Sequence, residues 1–412
     1  MADRVTVIGW DGSPLAPAAV TALRAATLVA GAPRHLALPD VPPHAERVVL
    51  GSLVIAAERI AAHRGTAVVL ADGDPGYFGV VRALRAPAHG LEVEVVPAVS
   101  AVAAAFARAG MPWDDARIVV ASERTLRRAV NVCRAHPKVA VLTSPDAGPT
   151  EIALLLGPEQ RTFVICESLG TERERVSVLT SDRVPRHRWT DPNVVIVIGG
   201  GVPHSSTSSW LAGLATGDVP EGPRGWGLDP TDYGQPAPVQ DGEGAGRDRR
   251  LRALELAALG PRFGDLLWDV GSGNGLTAVE AARLGAAAIA VDRDPRAAAL
   301  TEATARRVGV QVSCVRGAAP QVLGDLPQPD LIRVGGGGQR VLVACADRRP
   351  DRIVSHAITR DQAEEAGRVL TGAGYAVECT LVQSVELAAR DWSERGRSVV
   401  FLLAARLLSS TT

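Results

Sequence analysis

Lysine, aromatic residues and long apolar runs are all scarce in this sequence, and each scarcity limits what the chain can do. Lys138 is the only lysine among 412 residues, and the formal net charge is −1. A near-neutral chain with only 4% aromatic residues has neither the basic field nor the stacking surface of a nucleic-acid-binding protein. No uninterrupted apolar stretch reaches the length of a membrane-spanning helix. We therefore expect neither a nucleic acid nor a membrane as a partner.

Cysteine and histidine are few and scattered, which argues against disulfides and metal centres. The five cysteines form no C-x-x-C pair, and the eight histidines have no partners at metal-ligand spacing. The first residues, MADRVTVIGW, enter a strand pattern directly and lack the basic and apolar regions of a secretory signal. These features predict a cytoplasmic chain with reduced, buried thiols and no metal.

The sequence is long enough for two α/β domains joined by a linker. Residues 1–202 alternate strand and helix patterns, beginning with a strand at 4–9 and a helix predicted over 15–31. Residues 203–246 are rich in Gly, Pro and Ser and have no apolar period, which predicts a linker or long loop. Residues 247–412 resume the alternation in βαβαβ order, which predicts a parallel, doubly wound sheet.

The stretch LLWDVGSGNGLTAVEAARLG, residues 266–285, is a strand, a glycine-rich turn and a helix. Such a turn lets a ligand approach the backbone and meet the N-terminus of the helix. The dinucleotide fingerprint G-x-G-x-x-G needs a third glycine where this chain has Leu276. Asp292 ends the next strand, where an acidic residue can accept hydrogen bonds from ribose hydroxyls. The turn itself consists of Gly271, Ser272, Gly273, Asn274 and Gly275.

This spacing favours S-adenosylmethionine as the ligand, because G-x-G-x-G resembles the first motif of the class I methyltransferases. Two alternatives stay open. The first is a nicotinamide-dependent oxidoreductase, which would use the same acidic residue, Asp292. The second is that the glycines only form a tight turn and bind no ligand.

Three segments of the C-terminal half carry a more specific resemblance. They are LWDVGSGNG at 267–275, IAVDRDP at 289–295 and VRGAAPQVLGDLPQPDLIRVGGGG at 315–338. Together they resemble the family that methylates C15 and removes the C12 acetate carboxylate in corrin-ring synthesis. The resemblance implies a Rossmann-like fold with cofactor contacts at the glycine turn, Asp292, Gly317 and Ala319.

The C-terminal half departs from that family at two places. The segment GRDRRLR at 246–252 lacks the threonine that usually touches the cofactor, so its Arg249, Arg250 and Arg252 could instead grip substrate carboxylates. His356 stands where the family usually has asparagine, and its role is open.

The N-terminal half carries a second set of motifs. A first strand ends at Gly9, LADGDPG follows at 70–76, and VPAVSAVAAAF occupies 96–106. These segments resemble the tetrapyrrole methylase family, whose cofactor lies in a cleft between two α/β lobes. Gly73 ends a strand where a Cβ would obstruct a close ligand. The cofactor contacts that the resemblance implies are Gly9, Asp72, Gly73, Asp74 and Ser100.

The stretch ASERTLRR at 121–128 differs from the family's usual substrate-contacting segment. Its Arg124, Arg127 and Arg128 either bind substrate carboxylates or belong to a solvated basic helix.

The order of the two halves resembles the fused C5,15-methylating and decarboxylating family of cobalamin biosynthesis. That resemblance implies two S-adenosylmethionine sites, methyl transfer to C5 and C15 of precorrin-6B, loss of the C12 acetate carboxylate as carbon dioxide to give precorrin-8, and a homo-oligomer.

Alignment of the two reactants can supply much of the rate enhancement. The sulfonium methyl of the donor is electrophilic, and a meso carbon of a reduced tetrapyrrole is enamine-like and can attack it. The candidates for a general acid or base are Asp74, Tyr77, His356 and Glu386. Two further alternatives are an N-terminal domain that only holds substrate and a methyltransferase for RNA or another macromolecule.

Overall fold

A computed structural model describes residues 4–199, 225–235 and 249–408. The chain divides into two compact units. The first unit comprises Met1–Trp113, Val164–Val178 and Arg188–Ile196, and the second comprises Asp114–Phe163, Leu179–His187 and Val197–Thr412.

The first sheet is parallel throughout the strand pairs that define its register, with the order β3-β2-β4-β1-β5. Its central strands are apolar runs buried on both faces, as expected of a sheet covered by helices. The elements are β1 (Arg4–Trp10), α1 (Pro17–Arg24), β2 (Leu28–Gly31), α2 (Pro33–Leu36), β3 (Glu46–Val49), α3 (Leu53–Ala62), β4 (Ala67–Asp72), α4 (Val80–Leu84), β5 (Glu92–Val96) and α5 (Ala101–Ala109).

The helix predicted over residues 15–31 was wrong in its second half. The helix α1 ends at Arg24, and Leu28–Gly31 forms the strand β2. Val29 pairs with Val68 of β4 and with Arg47 of β3, and it has no exposed surface. A fully buried apolar run carries no alternation, so its sequence does not distinguish a strand from a helix.

The second sheet has the order β6-β7-β10-β8-β9. Its elements are β6 (Arg117–Val120), α6 (Leu126–Ala135), β7 (Lys138–Leu142), α7 (Pro149–Leu156), β8 (Thr162–Glu167), β9 (Arg175–Thr180) and β10 (Asn193–Ile198).

The third sheet has seven strands in the order β13-β12-β11-β14-β15-β17-β16. Strands β11 to β15 are parallel, which confirms the predicted doubly wound sheet, and an antiparallel pair extends it on one side. Trp268 lies fully buried in the core of this sheet. The elements are α8 (Arg249–Leu259), β11 (Leu266–Val270), α9 (Leu276–Arg283), β12 (Ala287–Asp292), α10 (Pro295–Arg307), β13 (Ser313–Arg316), β14 (Leu331–Val334), α11 (Gly338–Asp347), β15 (Arg352–Ala357), α12 (Arg360–Gly372), β16 (Tyr375–Leu387) and β17 (Glu394–Leu407).

Within the second unit, α6 packs against the third sheet. Asn131 is buried and its Nδ2 donates to Gly264 O at 3.0 Å and to Asp330 Oδ2 at 3.3 Å. Arg127 pairs with Asp330, and Arg128 Nη1 lies 3.7 Å from Asp265 Oδ1. These two arginines keep 46% and 44% of their side chains exposed, as expected of a solvated basic helix, and each also pairs with a buried carboxylate of the same unit. Their binding of substrate carboxylates stays a prediction. Arg124 is exposed.

Residues 225–235, which the sequence assigned to the linker, pack against α9 and α10. Tyr233 is buried, and its hydroxyl donates to Glu280 Oε1 at 3.0 Å. Gln235 Nε2 donates to Asn274 O and to Thr304 Oγ1, both at 2.9 Å. The rest of the predicted linker lies outside the described residues, and the domain boundaries stay a prediction.

The thiols are unpaired and mostly buried. Cys133, Cys166 and Cys345 are buried, Cys314 is half-buried and Cys379 is exposed. Burial raises the pKa of the Cys133 thiol to about 12, so it is unreactive at neutral pH. No helix in the described part of the chain has the length and apolarity needed to cross a membrane.

Candidate functional site

In the first unit, three chain segments meet so closely that side chains are excluded between them. Gly73 has φ +57° and its N–H donates to Trp10 O at 2.7 Å. A Cβ on Gly9 would lie 2.2 Å from Gly73 O, and a Cβ on Gly73 would lie 2.8 Å from Ala101 N. The structure therefore brings Gly9, Gly73 and the N-terminus of α5 together at the carboxyl ends of β1 and β4, as predicted.

The side chains predicted to contact the cofactor here also hold the loops in place. Asp72 pairs with Arg34, and its Oδ1 lies 2.8 Å from His35 Nε2. Asp74 Oδ1 accepts from Gly76 N at 2.8 Å, and Ser100 Oγ caps α5 by accepting from Ala103 N at 3.1 Å. The contacts of Asp72, Asp74 and Ser100 with a cofactor stay predictions.

The charge of Asp72 is fixed by its neighbours. Burial raises its pKa, but His35 and Arg34 outweigh burial, so the pKa of Asp72 lies below the ordinary value of 3.8. Asp72 is therefore an ionised carboxylate at the end of β4 at neutral pH.

Asp11 joins the same group of loops, although the sequence analysis did not single it out. Its Oδ2 accepts from Val99 N at 3.1 Å, and its Oδ1 accepts from Ser13 N at 3.0 Å. These bonds connect the loop after β1 to the segment before α5. The signal in the sequence is a D-G-S turn directly after the first strand, which is typical of loop-shaping aspartates.

In the second unit, the glycine turn after β11 has a left-handed backbone at three positions. Gly271, Gly273 and Gly275 have φ of +70°, +56° and +73°. A Cβ on Gly275 would lie 2.0 Å from Thr301 Oγ1, whereas a Cβ on Gly273 would meet open space within 4 Å. The turn is therefore packed at its end against α10 and open at its centre, which leaves room for a ligand at Gly273.

Asp292 ties this turn to the end of β12. Its Oδ2 accepts from Gly273 N at 2.9 Å, and its Oδ1 accepts from Asp294 N at 3.0 Å. A carboxylate has about four acceptor positions, so Asp292 retains capacity for two ribose hydroxyls. Gly317 N donates to Asp292 O at 2.9 Å, which brings the loop after β13 to the same edge. Ala319 lies in that loop and packs against the core.

The other two residues of the turn contribute backbone bonds. Ser272 is buried and its N–H donates to Val291 O at 3.2 Å, and Asn274 O accepts the bond from Gln235. The predicted cofactor residues of the C-terminal half therefore lie together at the carboxyl ends of three adjacent parallel strands. Their contacts with a cofactor stay predictions.

Four charged or titratable side chains form a buried cluster beneath this edge, and the sequence analysis singled out only one of them, His356. Arg333 Nε lies 3.3 Å from both carboxylate oxygens of Glu255, and its Nη1 lies 3.2 Å from Asp269 Oδ1. Glu255 Oε1 lies 2.9 Å from His356 Nδ1. The sequence separations are 78 and 101 residues, so no local pattern could have joined them.

Burial raises the pKa values of the two carboxylic acids in this cluster, whereas the neighbouring cationic groups lower them. Burial raises the pKa of Glu255, but Arg333 and His356 outweigh burial and hold it below its ordinary value. Burial raises the pKa of Asp269, and Arg333 offsets this rise only in part. Folding therefore favours the ionised form of Glu255 and the protonated form of Asp269.

A cavity of about 280 Å³ opens beside the cluster, at the carboxyl ends of β14 and β15. Its walls include Gly335 and Gly336 of the glycine run, His356, and Gln362 and Glu365 of α12. A Cβ on Gly271 would lie 3.2 Å from Gly336 N, so the cavity wall and the glycine turn are in contact.

The structure bears on two expectations about charged or titratable residues, the carboxylate-binding arginines and the acid–base candidates. Arg252 was considered for gripping substrate carboxylates, but it is buried, its Nε donates to Glu280 Oε1 at 3.0 Å and it also bonds Leu228 O. That part of the expectation was wrong. Among the acid–base candidates, Asp74 and Tyr77 belong to the first unit, Glu386 is exposed on β16, and His356 lines the cavity.

Comparison with known proteins identifies both halves. Residues 11–185 match the family model of tetrapyrrole (corrin/porphyrin) methylases, and residues 240–388 match the model of a precorrin methyltransferase domain. The fold is therefore an N-terminal tetrapyrrole methylase followed by a C-terminal methyltransferase domain, and the class of protein is methyltransferase. This result supports the methyltransferase interpretation of the glycine turn over the oxidoreductase alternative.

Curated relatives define the family. The chain is 33% identical to the precorrin-6Y C(5,15)-methyltransferase [decarboxylating] of a Sinorhizobium species, over 86% of this chain and 84% of that protein. It therefore belongs to the precorrin-6Y C(5,15)-methyltransferase (decarboxylating) family.

Shorter relatives match parts of the chain. The cobalt-precorrin-7 C(5)-methyltransferase of Salmonella typhimurium is 38% identical over 42% of this chain and 88% of that protein. A probable cobalt-precorrin-6B C(15)-methyltransferase (decarboxylating) of Pyrobaculum calidifontis is 37% identical over 32% of this chain and 72% of that protein.

Proposed function

We propose that this chain is a bifunctional enzyme that methylates a precorrin at C5 and C15 and removes the carboxylate of the C12 acetate. The substrate is precorrin-6B and the product is precorrin-8. The N-terminal domain transfers the methyl group to C5, and the C-terminal domain carries out the other two steps. A cytoplasmic location and a homo-oligomeric state stay predictions.

The observation that carries this proposal is the presence of two separately built glycine sites in a chain of this family. One is formed by Gly9 and Gly73 in the first unit, and the other by the turn from Gly271 to Gly275 in the second. Each lies at the carboxyl ends of parallel strands, where ligands of open α/β sheets bind. Two sites fit an enzyme that adds two methyl groups.

The C-terminal site fits S-adenosylmethionine by its shape and its acceptors. Open space at Gly273 admits a ligand against the backbone, and the carboxylate of Asp292 can bind ribose hydroxyls. When bound, S-adenosylmethionine supplies an electrophilic methyl group. The protein's residues hold the donor and the attacking carbon in line and exclude water, which can supply much of the rate enhancement.

The rival in which the N-terminal domain only holds substrate makes a different prediction. Gly9 and Gly73 lie at the carboxyl ends of β1 and β4, where ligands of open α/β sheets bind, which favours an active domain. If that domain were inactive, the enzyme would add one methyl group per substrate molecule.

The test is product mass. The purified protein is incubated with S-adenosylmethionine and precorrin-6B, and the product is weighed by mass spectrometry. We expect a gain of two methyl groups and a loss of one carbon dioxide. One methyl group would favour the substrate-holding alternative, and an unchanged mass with a competent substrate would contradict the proposal.

A further inference from the structure

The decarboxylation requires a proton that the methyl transfers do not. When the bond between the acetate methylene and the carboxylate carbon breaks, its electron pair passes to the methylene carbon and the conjugated ring, and carbon dioxide leaves. The methylene carbon must then take up one proton to become a methyl group. An acid positioned in the C-terminal site would accelerate this step by about 100- to 10,000-fold.

One side chain of the second unit has the geometry for this task. His356 lines the cavity at the end of β15, and its side chain is 9% exposed. Its Nδ1 is bonded to Glu255 Oε1 at 2.9 Å, which fixes the orientation of the ring. Nε2 has no hydrogen-bond partner among the described residues, and so it is the ring nitrogen available to a ligand in the cavity.

Arg333 holds the residue that orients the ring. It contacts both carboxylic acids of the cluster, Glu255 and Asp269. Glu255 in turn bonds the ring of His356, so the position of the ring depends on a buried network and not on one contact.

We propose that His356, oriented by Glu255, is the acid that protonates the carbon from which carbon dioxide has left. This inference rests on the proposed function and assigns one step of it to a residue. The proton passes from Nε2 to the methylene carbon, and the ring then regains a proton from water that enters the cavity. Glu255 contacts His356 rather than the substrate, so it is a positioning residue.

The first test separates carbon dioxide release from methyl transfer. His356→Gln keeps a hydrogen-bonding side chain but removes the titratable ring. With substrate labelled in the acetate carboxylate, we expect release from this variant to fall about 100-fold or more. Binding of S-adenosylmethionine at the C-terminal site should persist, which shows that the unit carrying His356 is folded.

The matched comparison is Glu364→Gln, because Glu364 is an exposed titratable side chain of α12 that does not line this cavity. Wild-type release from folded His356→Gln would overturn the proposal, and so would an equal loss of release in Glu364→Gln. If the wild-type enzyme neither methylates nor decarboxylates, the proposed function fails, which is a distinct result.

A second variant keeps the inference testable if His356→Gln does not fold. Added imidazole should restore release in His356→Ala, because a free imidazole can replace the missing acid. Absence of rescue in folded His356→Ala would overturn the proposal.

Discussion

Gly273 and Gly275 share a left-handed backbone but differ in what surrounds them. Both positions disfavour a side chain by about 1–2 kcal/mol through backbone conformation alone. A Cβ at Gly275 would also collide with Thr301, whereas a Cβ at Gly273 meets no atom within 4 Å. One glycine is therefore required for packing, and the other leaves space for a ligand.

This difference predicts the behaviour of two alanine variants. Gly275→Ala should lower the free energy of unfolding by about 3 kcal/mol or more, because conformational strain and overpacking both act. Gly273→Ala should cost only about 1–2 kcal/mol, while weakening the binding of S-adenosylmethionine. Urea unfolding and calorimetry measure the two effects. Equal losses of stability in the two variants would contradict the packing argument.

The ion pairs of Asp72 predict a pH dependence of stability in the first unit. Because its pKa is lowered on folding, Asp72 stabilises the native state above its ordinary pKa of 3.8. This contribution is lost as pH falls through the lower folded value. The free energy of unfolding should therefore differ between the wild type and Asp72→Asn at neutral pH, and the difference should shrink towards about pH 2.

The control for this prediction is Glu58→Gln in the same unit. Glu58 is exposed on α3 and makes no ion pair with the described residues. Its replacement should leave the free energy of unfolding nearly unchanged at every pH. A difference between wild type and Asp72→Asn that grows in acid would show that the sign assigned to Asp72 is wrong.

At the scale of elements, α6 is the helix whose packing partners were hardest to predict from the sequence. The stretch ASERTLRR is basic, which suggested either a solvated face or a carboxylate-binding one. Its partners Asp265 and Asp330 lie in the same compact unit but more than 130 residues later in the sequence. A sequence shows the charge of a helix face but not the surface that covers it.

Asn131 of α6 allows this contact to be tested. Asn131→Ala removes buried bonds to Gly264 O and to Asp330, so it should lower the free energy of unfolding of the second unit by about 1–3 kcal/mol. Arg124→Ala, just before α6 and exposed, should change it by less than about 0.5 kcal/mol. Chemical denaturation measures both variants. A neutral Asn131→Ala would mean that α6 does not pack against Gly264 and Asp330 as described.

Much of the fold could be predicted because strand and helix patterns alternate along the chain. The parallel strands β11 to β15 follow from short apolar runs that end at turn signals. The strand β2 was merged with a helix because a fully buried run has no period, and the antiparallel pair β16–β17 was not anticipated from its sequence. A helix or strand with one exposed face shows a hydrophobic period in its sequence, whereas a segment buried on both faces shows none.

The same distinction applies to the site. The glycine turn and its proximity to Asp292 could be predicted, because a left-handed turn between a strand and a helix dictates residue types over a few positions. The cluster of Glu255, Arg333 and His356 was not, because its members come from three separate elements. Only the sheet order brings α8, β14 and β15 together.

At the scale of the whole molecule, we propose two sites for one methyl donor in a single chain. The first is built by Gly9 and Gly73 and the second by the turn at Gly273, in different compact units. The residues predicted for the first site all belong to the first unit, and those predicted for the second site all belong to the second unit. Damage to one site should therefore leave binding at the other intact.

The most direct measurement is the stoichiometry of S-adenosylmethionine binding, determined by calorimetry on active protein. We predict two molecules per chain. Gly273→Phe, which fills the open space of the C-terminal turn, and Gly73→Ala, which collides with Ala101 N, should each leave one. A single site in the wild-type protein, or the loss of both sites in either folded variant, would contradict the account.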